Sequence, residues 1–398
     1  MSEKIFTVKG KGLKFDTIED IKPHLEKLNA IPDVREIDLG GNTYGIEASK
    51  ALADALTDKS ELEVARLDDM FTGRLREEIP TSLNSILTSL LNCKKLHTID
   101  LSDNAFGIAT IDPLESFLSK HTPLEHLFLT NNGFGPLAGA RVAQALEKLA
   151  DTKKEQKSDV QLRTVVCGRN RLENGSMKAW ADFLAAHGSI QELRLYQNGI
   201  RQEGIEHLFL NGLSKSPLLE RLDLQDNTFT VKGARALSQV FPSWKNLKEL
   251  GISDCLLSAR GGEIFGQTLI DGAVLHNLEK LKLQYNEIED RGLELLKNAV
   301  KHNLPNIKLL ELNGNRFAED HEFVDEITHI FEDRGFGELD ELDDMEELSE
   351  EEETEQEDRE DSQEVILKDA EEEEDQNVAQ ERSTEVDALT AQINKTEL

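Results

Sequence analysis

Two arginines, Arg74 and Arg76, stand two residues apart in FTGRLREEIP, and an arginine on a protein surface offers a flat fork of donors that matches carboxylates and phosphates. Asn131 in LTNNGFGP is a polar amide free to touch a partner. Arg169 and Arg171 in CGRNRLENG, Gln197 in LYQNGI, Asp226 in LQDNTF and Tyr285 in LQYNEI continue the series as a polar ridge. There is no Walker loop, HExxH, GxSxG elbow or EF-hand loop from which a free-standing enzyme could be assembled. The ten histidines are scattered, none with a cysteine and an acid at metal spacing; His126 and His207 read as packed or solvated. The chemistry expected is therefore recognition of another protein, with no intrinsic catalytic site, no metal and no cofactor.

The elements that carry these residues are repeats. The pattern L-x-x-L-x-L-x-x-N recurs ten times, as VREIDLGGN, LEVARLDDM, LHTIDLSDN, LEHLFLTNN, LRTVVCGRN, IQELRLYQN, LERLDLQDN, LKELGISDC, LEKLKLQYN and IKLLELNGN. The final residues lie 28, 34, 28, 38, 28, 29, 28, 31 and 29 positions apart, which is the leucine-rich repeat. Each copy begins with the alternation of a strand and continues with helical spacing, as in Ala48, Ala51, Leu52 and Leu56. Strands stack at about 4.8 Å whereas helices need about 10 Å, so the expected fold is an α/β horseshoe, with parallel strands on the concave face and helices outside. The anchoring asparagines and leucines read as structural, Cys255 as an accepted substitute, and Cys167 as a buried small hydrophobe. The sequence predicts a repeat domain over 1–336, capped by residues 1–28 and by a helix in AEDHEFVDEITHIFEDRGFG, followed by an acidic, disordered tail over 337–398.

Two copies depart from the period. Met70 replaces the anchor in the second, and the interval of 34 implies a longer loop that exposes Arg74. The interval of 38 contains DTKKEQKSDV, read as a surface insertion without a site.

The formal charge of −33 argues against nucleic acid or an anionic membrane as partner. From Gly337 onward 27 acidic and 4 basic residues contribute −23 of it. The plain reading of such a tail is a solvated one; the alternative is a tail that steers a basic partner toward the protein in a salt-dependent way. Within it, Leu339, Leu342, Met345 and Leu348 have the spacing of an amphipathic turn or export signal, and Val386, Leu389 and Ile393 that of a short helix. With no signal peptide, no apolar run of membrane-spanning length and three dispersed cysteines, a soluble intracellular protein is expected.

The stretches DMFTGRLREEIP, LSDNAFG, LTNNGFGP, CGRNRLENGSMK, QNGIRQEGIEHL, LDLQDNTFT, DCLLSARG and LQYNEIE occur in this order over Gly10 to Asp344, and they resemble those of fungal members of the RanGAP family. The resemblance implies a cytoplasmic activator, extending to the nuclear envelope, that stimulates GTP hydrolysis by the small GTPase Ran and maintains the gradient behind nucleocytoplasmic transport. GTP and magnesium would be held by Ran, in its GTP form and with a Ran-binding protein as an accessory partner; a monomer is expected. It implies catalysis without an arginine finger: Asn131 positions Ran's own glutamine and water, Arg74 engages Ran from outside the nucleotide site, and Asp226 contacts a basic residue. The remaining expected contacts are Arg76, where the family can carry lysine, the anchor Asn104 in LSDNAFG, and Arg169, Arg171, Gln197 and Tyr285. A passive binding horseshoe of the ribonuclease-inhibitor kind shares the repeat length but has no need of the FTGR loop or Asn131.

Overall fold

The computed structural model describes residues 4–346. Within the unit Met1–Met345 short strands and helices alternate along the chain. Among the described residues, twelve strands form one sheet in chain order, from Ile5–Thr7 through Thr98–Asp100 and His126–Phe128 to Leu309–Glu311 and Glu338–Leu339. All pairings are parallel and in step, so that Phe6, Ile37, Ala65, Ile99 and Leu127 lie opposite one another and Val165, Leu193 and Leu222 prolong the row. A parallel pair needs a crossover, and here a helix supplies it: Ile46–Leu56 turns Ala48, Leu52 and Leu56 inward at four-residue spacing. The expected leucine-rich repeat architecture is what the chain adopts.

The anchors hold the turns that follow each strand. The Asn132 amide nitrogen donates to the Leu101 and Leu129 carbonyls, each at 3.0 Å, and its oxygen accepts the Asn104 backbone N–H at 3.0 Å. Asn170 and Asn198 repeat the arrangement. These groups are sealed from water, so each bond answers a backbone polar atom that would otherwise be orphaned. Cys255 keeps its place with a buried thiol 3.4 Å from the Leu224 and Ser253 carbonyls. Met70 cannot donate from its side chain, and the Tyr44 hydroxyl takes over the Leu39 carbonyl at 3.2 Å. Cys167 is buried, as expected, and its thiol is pushed up by desolvation.

The residue before each anchor adopts a left-handed backbone. It is Gly41 and Gly314 in the end repeats, and between them Asp69, Asp103, Asn131, Arg169, Gln197, Asp226, Asp254 and Tyr285. For a residue with a Cβ this conformation costs about 1–2 kcal/mol. The turn imposes it throughout, and five of the expected contact residues share this one structural position.

The stretch DTKKEQKSDV in the interval of 38 is largely the surface insertion expected, with six of its ten residues exposed, but not wholly so. Its first half extends the helix Gly135–Glu155 to 21 residues, and Lys153 is 6% exposed. The Lys153 ammonium donates to the Thr122, Leu124 and Val160 carbonyls at 2.7, 2.8 and 3.1 Å.

At the N-terminal end Ile5–Thr7 covers the sheet edge, and the helix Ile18–Asn29 starts at a capping box made by Thr17 and Asp20. At the other end the helix Glu322–Arg334 stops at Gly335 with φ +69°. The boundary expected after residue 336 lies further on. Glu338–Leu339 pairs with Leu309–Glu311, and the Asp340 carboxylate accepts from the Leu312 and Asn313 backbone N–H groups at 2.6 and 3.1 Å. Asp340 thus caps a strand that has no next repeat to bond to. Leu342 is buried and Leu339 and Met345 pack on the core, so three residues of the export-like row close the stack. Leu348, the short helix at Val386, Leu389 and Ile393, and the rest of the acidic tail lie outside the described residues.

Candidate functional site

The loop carrying Arg74 is tied down at three points. The Phe71 ring is buried 6.3 Å from Phe106, centroid to centroid, and the Thr72 hydroxyl donates to the Asp69 carboxylate. The third tie is Arg74 itself, whose side chain is 6% exposed. Its Nε donates to Thr43 Oγ1 at 2.8 Å, one terminal nitrogen to the Phe15 and Thr43 carbonyls at 3.0 Å each, and the other to the Asp16 carboxylate. Gly45 leaves room for the cradle: a Cβ there would stand 3.0 Å from the guanidinium and press on it. The expectation that the longer loop exposes Arg74 is therefore corrected. The insertion exposes its neighbours, Arg76 and Leu75, the latter 67% exposed, while the guanidinium fastens the loop to the N-terminal cap. The Arg74 and Lys14 side chains beside Asp16 hold its carboxyl below the usual carboxylate range.

Facing this loop is the turn after the next strand. A groove of about 490 Å³ runs between them, lined by Thr72, Arg76 and Asp103 among others. Asp103 and Asn131 occupy the left-handed position in adjacent repeats, are exposed, and are joined by a hydrogen bond from Asn131 Nδ2 to Asp103 Oδ1 of 2.8 Å. Asn104, one residue further, is different. It is 3% exposed, its amide nitrogen serves the Leu67, Leu101 and Ser102 carbonyls, and its oxygen accepts from Met70 N. Every polar atom of that side chain is engaged within the fold, which corrects its assignment as a partner contact and returns it to the anchors.

The other expected contacts divide by position. Arg171, Gln197 and Asp226 come together around a second, open groove of about 850 Å³, with Arg201 and Asp254 beside them. Arg169 is exposed in the repeat next to Asn131. Tyr285, five strands from Asn131 and roughly 24 Å along the stack, packs its ring on Gly314 and donates its hydroxyl to Asp344 at 3.0 Å. Sequence reasoning missed Asp103, Asp16 and Thr43, and three exposed apolar side chains in the three repeats that carry Arg74, Asp103 and Asn131: Leu75 and Leu137, both 67% exposed, and Ile108, 45% exposed. Only Asp103 had a signal, since it occupies in LHTIDLSDN the place that Asn131 occupies in LEHLFLTNN.

The family model described as Leucine Rich repeat matches residues 215–238 and 274–297. The Ran GTPase-activating protein 1 of Saccharomyces cerevisiae is 42% identical over 340 residues, covering 83% of each chain. The chain belongs to the Ran GTPase-activating protein family. The Drosophila melanogaster Ran GTPase-activating protein is 32% identical over 80% of this chain, which spans 53% of that relative's length. The ribonuclease inhibitor of Sus scrofa is 29% identical over 53% of this chain and 44% of its own, as a common repeat would give. An internalin from Listeria monocytogenes has the same fold, with a TM-score of 0.50 at 17% identity over 87% of this chain and 83% of its own. Among the described residues no helix is long and apolar enough to cross a membrane, and no three His, Cys, Asp or Glu side chains are placed to hold a metal.

Proposed function

We propose that this protein accelerates GTP hydrolysis by Ran, binding Ran in its GTP form, and that it does so by ordering Ran's own catalytic machinery rather than by inserting an arginine. The observation that carries the reading is the contrast between two side chains: Arg74 is held by Asp16, Thr43 and the Phe15 carbonyl, whereas Asn131 stands exposed on the rim two strands along the sheet. GTP hydrolysis passes through a loose transition state whose needs are a positioned water and stabilised phosphate oxygens. An exposed amide can meet the first need through Ran's glutamine. Arg74 then acts by holding the loop that presents Leu75 and Arg76 to Ran, a revision of its expected direct engagement.

GTP and magnesium belong to Ran, and no cofactor is assigned to this chain. Arg169, Arg171, Gln197 and Asp226 supply further contacts along the rim, with a Ran-binding protein as an accessory partner. Action as a monomer in the cytoplasm, up to the nuclear envelope, would keep Ran in its GDP form there and sustain directional transport. A full activator effect is about 10⁵-fold, roughly 7 kcal/mol of barrier.

The test is single-turnover hydrolysis of Ran-bound GTP with trace amounts of wild type, Arg74→Ala, Arg74→Lys and Asn131→Ala, together with a Ran-binding assay. Acceleration by wild type, lost with binding retained in Asn131→Ala, is expected. No acceleration by wild type removes the reading.

A further inference from the structure

Eight residues between the two end glycines share the left-handed position before an anchor, and their side chains follow one another along the rim. Among the described residues, only one neighbouring pair in this row is joined side chain to side chain: Asp103 and Asn131, at 2.8 Å. No cation pairs with Asp103 among the described residues, so its carboxylate is not engaged elsewhere in an ion pair. The backbone on both sides is fixed, because Asp103 N–H donates to the Thr130 carbonyl and Asn131 N–H to the Gly168 carbonyl, at 2.9 and 3.0 Å.

An ionised carboxylate only accepts, and an asparagine amide has one accepting and one donating end. The pair is therefore possible in one orientation of the amide; the flipped form would set oxygen against oxygen. We propose that Asp103 is a positioning residue for the hydrolysis: its carboxylate holds the Asn131 amide so that Oδ1, an acceptor, is the end offered to an N–H or O–H donor in the partner's active site. This rests on the proposed function of Asn131. The expected occupant of that acceptor is the –NH₂ of a primary amide, whose own carbonyl oxygen is then left to accept from the attacking water. Without Asp103 the amide samples both orientations, and half of them present a donor where an acceptor is needed. In the free protein this exposed hydrogen bond contributes little, but a partner that excludes water strengthens it.

The closing experiment is a double-mutant cycle in the full chain, with Asp103→Ala, Asn131→Ala, the double variant and Asp103→Asn, read as maximal rate and half-saturating concentration in single-turnover hydrolysis by Ran. Asp103→Ala is expected to lower the maximal rate by about tenfold, the scale of one charge-assisted hydrogen bond, with half-saturation and thermal midpoint unchanged. Asp103→Asn, which keeps an acceptor, should recover part of it. Adding Asp103→Ala to Asn131→Ala should change nothing further. A side-chain amide resonance that disappears in Asn131→Ala should shift in Asp103→Ala. If Asn131→Ala is inactive while Asp103→Ala keeps the wild-type maximal rate, or if Asp103→Ala lowers the rate equally in both backgrounds, the proposal is overturned and the role of Asn131 stands. If Asn131→Ala keeps the wild-type rate, the role of Asn131 falls and this proposal with it.

Discussion

At Asn131 and Asn132, two asparagines adjacent in sequence have opposite fates. The turn sends the first outward and seals the second against three backbone carbonyls. Asn132→Ala should therefore cost about 3 kcal/mol, because several buried backbone groups lose their partner, whereas Asn131→Ala should leave the urea midpoint where it was. Arg74 is the third case, a charged side chain buried by its partners. Lysine keeps the charge but cannot reproduce four directed donors. Arg74→Lys is expected to lower the unfolding free energy by about 1–3 kcal/mol and to reduce activation of Ran as the loop loosens; unchanged activity would separate the clamp from the function. Asp16 holds one end of that clamp with a carboxyl below its usual range, so its contribution is present above the ordinary carboxylate pKa and lost as acid protonates it.

The repeat tolerates length where an element can absorb it. Part of the ten extra residues lengthened the helix Gly135–Glu155 and supplied a buried ammonium holding three carbonyls, while six became the FTGR loop. Lys153→Ala should destabilise by about 2 kcal/mol, since it orphans those carbonyls, whereas Lys154→Ala, next to it and exposed, should fall within about 0.5 kcal/mol. Urea midpoints of the two variants decide this. At the C-terminal end, a chain stopping at residue 336 should melt below one stopping at residue 346, because only the longer one keeps Asp340 on the last strand and Leu342 in the core.

Across the whole molecule, stability sums over contacts between neighbouring repeats, and buried titratable groups add a pH dependence. His121 and His187 each place Nε2 on a backbone carbonyl, Leu96 O at 2.7 Å and Leu146 O at 2.8 Å, and burial pulls both down to about 4. An unfolded histidine titrates near 6.5. Between those values the unfolded chain binds more protons, so stability is full above about pH 6.5 and falls as pH drops toward 4, by up to about 3 kcal/mol for each group. Urea midpoints at pH 7 and pH 5 should differ in wild type and differ less in His121→Gln with His187→Gln; an equal difference would assign the acid sensitivity to other groups.

The period, the order of strands, the burial of leucines and anchors, and the place of the rim were legible in the sequence. A repeat forces each copy into the same local conformation, and one deciphered copy serves for ten. The family was legible too, in non-anchor residues such as those of FTGRLREEIP. What sequence could not yield were pairings across repeats. Arg74 meets Asp16 across 58 positions, Asn131 meets Asp103 across 28, and Tyr285 meets Asp344 across 59. A hydrogen bond depends on where two side chains end, which periodicity does not encode. The tertiary structure therefore decided which polar residues are already engaged within the fold and which remain exposed on the rim.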